Sequence, residues 1–482
     1  MSNRPETNKQ SCPVYKKCGG CQLQNLSYPE QLEFKQRKVE KLLKRFCTVE
    51  KIIGMKTPYH YRNKVQAAFY TDKKGKIISG VYQSGSHHVV GIDSCQTEDV
   101  IADKIIVAVR KLLPSFRMTT YNEDTGKGFL RHILVKRGFA TNQIMLVLVT
   151  GTPVFPSKNN FVKAILKQFP EITTIVQNIN PYRTNLVLGD NQKVLYGKGY
   201  IEDILCGCRF RISPKSFYQI NPVQTEVLYG KAIEFANLKG NETVLDTYCG
   251  IGTIGIIAAK NGAGNVIGAE LNGDAVRDAI VNARANNLKN IRFYKADAGE
   301  FMREAADEDE KPDVVFMDPP RAGSDRKFLN SLIKMSPKKV VYVSCNPETL
   351  ARDLAYLTQN SPYKAQKIQP VDMFPHTAHI ETVVQLVRKN PDTYIDITVD
   401  MDELDLTTSE AKATYDEIKD YIFDKHRVKV SSLYVAQVKQ KHGIIERDCY
   451  NNSKKDNQKQ PQCPPEKVKL IEEALRHFKM IS

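Results

Sequence analysis

The chain has 482 residues, 41% hydrophobic and 26% charged, which suits a folded protein of about two to four domains and excludes a disordered one. Seventy Lys and Arg against 54 Asp and Glu give a formal charge of +16, an excess that calls for a polyanionic partner. No apolar run approaches the roughly 20 residues that span a bilayer, and the polar opening Met1 to Gln10 has no apolar export segment, so nucleic acid is expected over membrane, in the cytoplasm.

In chain order, residues 1–11 read as a disordered tail. Cys12, Cys18 and Cys21 follow, then a helix over 28–46. Short alternating segments at 65–70, 132–136 and 143–150 mark residues 12–215 as an α+β domain with much antiparallel sheet. Residues 216–390 alternate apolar strands with helices, the strands falling at 243–246, 265–270, 291–294, 314–318 and 339–344. That alternation predicts a mostly parallel, doubly wound α/β sheet. Residues 391–482 form an acidic and helical extension, with eleven acidic and two basic side chains in 392–424 and a final helix over 465–478. Setting aside the −9 of the acidic stretch leaves +25 on the remaining residues.

The strand ending at Asp246 runs into Thr247-Tyr-Cys-Gly250-Ile-Gly252-Thr-Ile-Gly255, a G-x-G-x-x-G loop before a helix. Such glycines let backbone approach a ligand at a helix N-terminus, and Glu270, twenty residues on, can accept from a ribose hydroxyl. Alone, this fits a nicotinamide or flavin site. The residues between Asp246 and Gly250, and a later strand ending in Asp318-Pro-Pro-Arg321, instead resemble an S-adenosylmethionine-dependent methyltransferase.

A further apolar strand ends in Ser344-Cys345-Asn346-Pro347, where open α/β sheets gather catalytic groups. Methylating carbon 5 of a pyrimidine needs a thiolate adding to carbon 6, then a base to remove the carbon-5 proton. Cys345 is the candidate nucleophile, and Glu381 in His379-Ile-Glu-Thr-Val-Val384 the candidate base.

Ser213-Pro-Lys-Ser-Phe-Tyr-Gln-Ile-Asn221, Asp246-Thr-Tyr-Cys-Gly-Ile-Gly252, Asp318-Pro-Pro-Arg-Ala-Gly323, Ser344-Cys-Asn-Pro347 and His379-Ile-Glu381 together resemble the signature set of the RNA uracil-C5 methyltransferases, over roughly residues 12 to 390. The resemblance implies the same two catalytic residues. It also implies an S-adenosylmethionine pocket lined by Gln219, Tyr248, Gly250, Gly252, Thr253, Glu270, Asp297 and Asp318. Thr253 stands where relatives often carry Asn.

Cys12-x5-Cys18-x2-Cys21 with Cys95 offers four thiolates, which chemistry allows to hold zinc or an iron–sulfur cluster. The resemblance selects a [4Fe-4S] cluster and, with it, 23S rRNA as substrate, because the tRNA branch lacks this pattern. It also implies that the small β-barrel RNA-binding domain opening many relatives is absent. A uridine inside folded RNA must be unstacked, with phosphate contacts and aromatic stacking offsetting the cost. Arg62, Lys64, Arg131, Lys136, Phe217 and Arg321 are the expected contributors. Cys206-x-Cys208 reads as part of a strand and Cys249 as a packing residue. A monomer is expected. The rivals are the same reaction on tRNA, a nicotinamide oxidoreductase, and a non-catalytic role in rRNA binding or assembly.

Overall fold

Ser27 starts the first long helix with a capping box, its side chain and backbone both engaging Glu30. The computed structural model describes residues 12–83, 86, 88–184, 186–307, 311–389, 415–442, 463–478 and 480–481. The expected tail and most of the acidic stretch lie outside these residues. The chain divides into two units, Met1–Asp392 and Thr393–Ser482.

In the first unit, a single helical turn α1 (Tyr15–Cys18) precedes α2 (Tyr28–Leu43). Then come β1 (Lys64–Thr71), β2 (Ile77–Tyr82), β3 (Val89–Gly91), α3 (Val100–Leu112), β4 (Leu130–Arg137), β5 (Ile144–Thr150), α4 (Lys158–Gln168), β6 (Ile172–Ile179) and β7 (Asn191–Tyr196). The seven strands make one sheet in the order β3-β2-β1-β4-β5-β6-β7. All pairs are antiparallel except β5 with β6, the pair that α4 connects. A hairpin follows, β8 (Ile201–Leu205) and β9 (Cys208–Ile212). Cys206 therefore does not lie in a strand. With φ of 50° at Cys206 and 72° at Gly207, the two form the hairpin's tight turn, which needs positive φ at both positions.

After α5 (Pro222–Ala236) the chain alternates β10 (Thr243–Asp246), α6 (Thr253–Lys260), β11 (Asn265–Glu270), α7 (Gly273–Ala285), β12 (Ile291–Lys295), α8 (Ala298–Asp307), β13 (Val314–Met317), α9 (Arg326–Met335), β14 (Lys339–Ser344) and α10 (Pro347–Asn360). It closes with β15 (Tyr363–Val371) and β16 (Glu381–Arg388). The sheet order is β12-β11-β10-β13-β14-β16-β15. The first five strands are parallel, while β16 runs antiparallel to both β14 and β15. The order reverses between β10 and β13, so the carboxyl ends of these strands open a crevice there.

One core joins the two sheets: Leu134, Val147 and Val176 of the first share a buried cluster with Phe210, Phe235, Val244, Phe316 and Val341. The other face of the second sheet packs Leu245, Val315 and Tyr342 against Val39 and Leu43 of α2. Although α2 precedes the first sheet in the chain, it is the second that it covers.

The second unit holds α11 (Tyr415–His426), α12 (Ser432–Lys441) and α13 (Pro465–His477), built around Ile418, Ile422, Val435, Val438, Ile471 and Leu475. Among the described residues no helix is long and apolar enough to cross a membrane.

Candidate active site

Strand β14 delivers Cys345 just past its end, and the next turn is pinned by short-range bonds. Asn346 N donates to Ser344 Oγ (3.2 Å), Asn346 Oδ1 caps α10 at Glu348 N (3.1 Å), and Asn346 Nδ2 donates to Arg321 O (3.2 Å). Strand β16 begins at Glu381, and Ser344 pairs with Thr382 across the antiparallel ladder. Cys345 and Glu381 therefore meet at the same end of neighbouring strands. Asp318 and Arg321 reach this place from the loop after β13. Cys345 is half-buried; burial, then Glu381 and Asp318, push its thiol up to about 11, with Arg321 opposing. Glu381 is 5% exposed, and burial followed by Asp318 holds its carboxyl well above the usual range, again against Arg321. Its side chain is no solvated strand residue. Arg321 Nη2 lies 3.4 Å from His379 Nε2.

The cofactor loop lies at the switch between β10 and β13. Glu270 accepts from Gly250 N (3.0 Å) and Asn272 N (2.7 Å). Asp246 is fully buried and accepts from Gly255 N (2.8 Å) through Oδ2, while Oδ1 has no partner. Burial pushes both Asp246 and Asp318 up to about 7. Gly250 and Gly252 have φ of 55° and 82°; a Cβ on Gly252 would strike the Phe293 ring at 2.7 Å, whereas above Gly250 the space is open. An orphaned buried carboxylate oxygen beside open, Cβ-free backbone fits S-adenosylmethionine. Gln219 Nε2 reaches Tyr229 OH at 3.4 Å, and Thr253 bonds the same hydroxyl. Tyr248 packs on Phe328 with ring centroids 5.5 Å apart. Asp297 is exposed and caps the start of α8 through Gly299 N and Glu300 N. Tyr229, which ties Gln219 to Thr253, escaped the sequence reading; its one signal is a polar ring on the buried face of α5, next to Leu228 and Ala232.

The four N-terminal thiols share one neighbourhood. Burial and Cys95 push Cys21 up to about 12, Cys18 and Cys12 adding smaller effects and Arg62 opposing. Among the described residues, no three His, Cys, Asp or Glu side chains stand at single-ion spacing. A Cβ on Gly20 would press on Cys18 Sγ at 3.3 Å. An all-thiol donor set of this kind fits an iron–sulfur group.

The expected RNA contacts divide. Phe217 is 62% exposed, and Arg321 is also exposed. Arg62 and Lys64 are half-buried; Arg62 faces Tyr61, Glu98 and Cys21, and burial lowers Lys64. Arg131 and Lys136, expected as RNA contacts, are instead buried and bonded within the protein. Arg131 is 2% exposed, forks onto Glu123 (2.7 and 3.1 Å) and donates to Asn180 O and Tyr182 O. Lys136 is buried, its Nζ donating to Ser213 O (2.9 Å) and Ser216 O (2.8 Å). Both spend their charge inside the protein.

A parallel sheet with this switch point, a Gly-rich loop backed by Glu270, and acids at the strand ends define an S-adenosylmethionine-dependent methyltransferase fold. Residues 183–389 match the family model described as tRNA (Uracil-5-)-methyltransferase. An uncharacterized RNA methyltransferase of Bacillus cereus is 44% identical over 389 residues, 80% of this chain and 84% of its own. One from Listeria monocytogenes is 46% identical over 379 residues, 78% of this chain and 83% of its own. The crystal structure of the Pyrococcus abyssi tRNA (uracil-54, C5)-methyltransferase in complex with S-adenosyl-L-homocysteine superposes with a TM-score of 0.65 at 31% identity, covering 76% of this chain and 86% of that one. The chain belongs to the RNA uracil-C5 methyltransferase family, and its reaction is S-adenosylmethionine-dependent methylation of carbon 5 of uracil in RNA.

Proposed function

We propose that the substrate is 23S rRNA, that Cys345 is the nucleophile and Glu381 the base, and that Cys12, Cys18, Cys21 and Cys95 hold a [4Fe-4S] cluster. The observation that carries the catalytic assignment is the meeting of Cys345 and Glu381 at the ends of β14 and β16, beside Asp318 and Arg321. Cys345 Sγ adds to carbon 6 of the uracil, so that electron density moves to carbon 5 and its carbonyl. Gln219, Tyr248, Gly250, Gly252, Thr253, Glu270, Asp297 and Asp318 would hold S-adenosylmethionine, which would supply the methyl for carbon 5 and be left as S-adenosylhomocysteine. Glu381 then removes the carbon-5 proton. The released electron pair re-forms the 5,6 double bond, the S–C6 bond breaks, and Cys345 leaves as thiolate. A base whose pKa is raised by burial holds that proton well. Phe217, which is exposed, and Arg321, exposed beside Cys345 and Glu381, would stack on and pair with the unstacked RNA.

The cluster and the rRNA substrate rest on the four thiols, and the tRNA alternative on the names of the matched family and of the Pyrococcus abyssi relative. Assays on 23S rRNA and on tRNA separate them: methylation of 23S rRNA alone is expected, and turnover on tRNA alone overturns the substrate assignment. Cys345→Ala should abolish covalent adducts with 5-fluorouridine RNA. Glu381→Gln should let a methylated adduct accumulate on ordinary RNA, and rapid turnover in that variant removes Glu381 as base.

A further inference from the structure

The segment between Asp372 and Ile380 leads into β16 and so carries Glu381 on its end. Its anchors come from the far end of the chain. Lys35 Nζ donates to Phe374 O (3.1 Å), and Tyr61 OH donates to Pro375 O (3.0 Å). His376 N donates to Gln31 Oε1 (2.8 Å), and His376 O accepts from Leu23 N (2.9 Å). Finally, Ala378 N donates to Gln22 Oε1 (3.2 Å). His376 is held at φ 70°, a conformation a residue with a Cβ rarely adopts unless its surroundings impose it.

Of these anchors Gln22 engages the residue nearest Glu381, Ala378, and it follows Cys21 directly. Its carboxamide is fixed at both ends, since Nε2 donates back to Gly19 O (2.8 Å) in the turn between Cys18 and Cys21. The turn that carries two of the thiols is thereby tied to the lead-in of the base. We infer that Gln22 is a positioning residue for proton removal, acting through Ala378 on Glu381; this rests on the reading of Glu381 as base. The adjacent anchors Gln31, Lys35 and Tyr61 are buried, but Gln22 is exposed, so replacing it leaves the core intact.

The test compares two steps of one reaction. In Gln22→Ala, turnover on uridine RNA should fall about tenfold and the steady-state fraction of denaturation-resistant protein–RNA adduct should rise, because a slightly misplaced base is slow. Adduct formation with 5-fluorouridine RNA, which needs Cys345 but no proton removal, should stay within about twofold of the parent. Gln22→Glu keeps an acceptor for Ala378 N but loses the donor to Gly19 O, so it should restore turnover in part. Iron content and melting temperature, measured on each variant, report the thiol site and the fold. Equal slowing of both steps, or no slowing of either, overturns the proposal. Glu381→Gln run in parallel separates the causes: if it accumulates adduct and Gln22→Ala does not, only the positioning role falls. If Glu381→Gln turns over freely, the base assignment falls and the positioning role with it.

Discussion

At Cys345 the fold does something that looks adverse to catalysis. A thiol pushed up to about 11 by burial and two neighbouring carboxyls is about one part in a thousand thiolate at pH 8. The same burial raises Glu381 and Asp318, whose carboxylates in turn oppose the Cys345 thiolate. Arg321 is the cation already present. A bound sulfonium adds a second positive charge, so thiolate formation becomes conditional on the methyl donor. The free protein should therefore be alkylated by iodoacetamide at Cys345 about a hundredfold more slowly at pH 8 than a thiol of unshifted pKa. S-adenosylmethionine should accelerate it, whereas S-adenosylhomocysteine, with a neutral sulfur and nearly the same shape, should not. Peptide mass spectrometry reads the rate at this cysteine separately from the others. Fast alkylation without cofactor, or equal acceleration by both compounds, would show that the cofactor's charge does not control the thiol.

The loop between β9 and α5 depends on an element of the other sheet. Lys136 extends from β4 into the interior and ties Ser213 O to Ser216 O, while Ser216 Oγ bridges to Asp278 Oδ2 at 2.6 Å. Burial pushes the Lys136 ammonium down to about 7, with Lys64 adding and Asp278 opposing. Lys136→Met leaves two carbonyls without a donor, at about 1–3 kcal/mol each, and loosens the segment that carries Gln219. Cofactor affinity should fall about tenfold or more by calorimetry, with RNA affinity at low salt unchanged. A loss confined to RNA binding would restore Lys136 as an RNA contact. This residue also shows what a sequence can carry. The strands of the second sheet were legible because runs such as Val314 to Met317 are apolar throughout, and the strand ends at Ser344 and Glu381 because each sits in a short local motif. Arg131 and Lys136 were not, since charge in a sequence does not report burial and their partners lie 49 and 77 residues away. The seat of α2 was hidden in the same way, because Lys35 meets Asp372 across 337 residues.

Over the whole molecule, the acidic stretch misleads about charge. Residues 393–482 carry sixteen acidic and fifteen basic side chains, so the basic residues after 424 nearly cancel the acids before them. The unit as a whole is −1, and the remaining 392 residues carry +17 of the total +16. That unit also has its own small core, around Ile422, Val435 and Ile471, whereas the two sheets of the first unit share theirs. Two consequences follow for a chain ended after Lys389. It should unfold with an unchanged midpoint, because no core residue of the first unit's clusters is removed. Its RNA affinity should also fall with salt along an unchanged slope of log K against log salt, since that slope counts phosphates neutralised by bound Lys and Arg. A shallower slope in the shortened chain, by about one for each lost phosphate contact, would place the basic residues after 424 on the RNA. A steeper one would mean that residues 390–482 had been lowering the number of phosphates that bound Lys and Arg neutralise. Filter binding of 23S rRNA fragments across a salt series distinguishes the three outcomes, and the unchanged slope is the one expected when catalysis, thiol site and RNA all belong to the first unit.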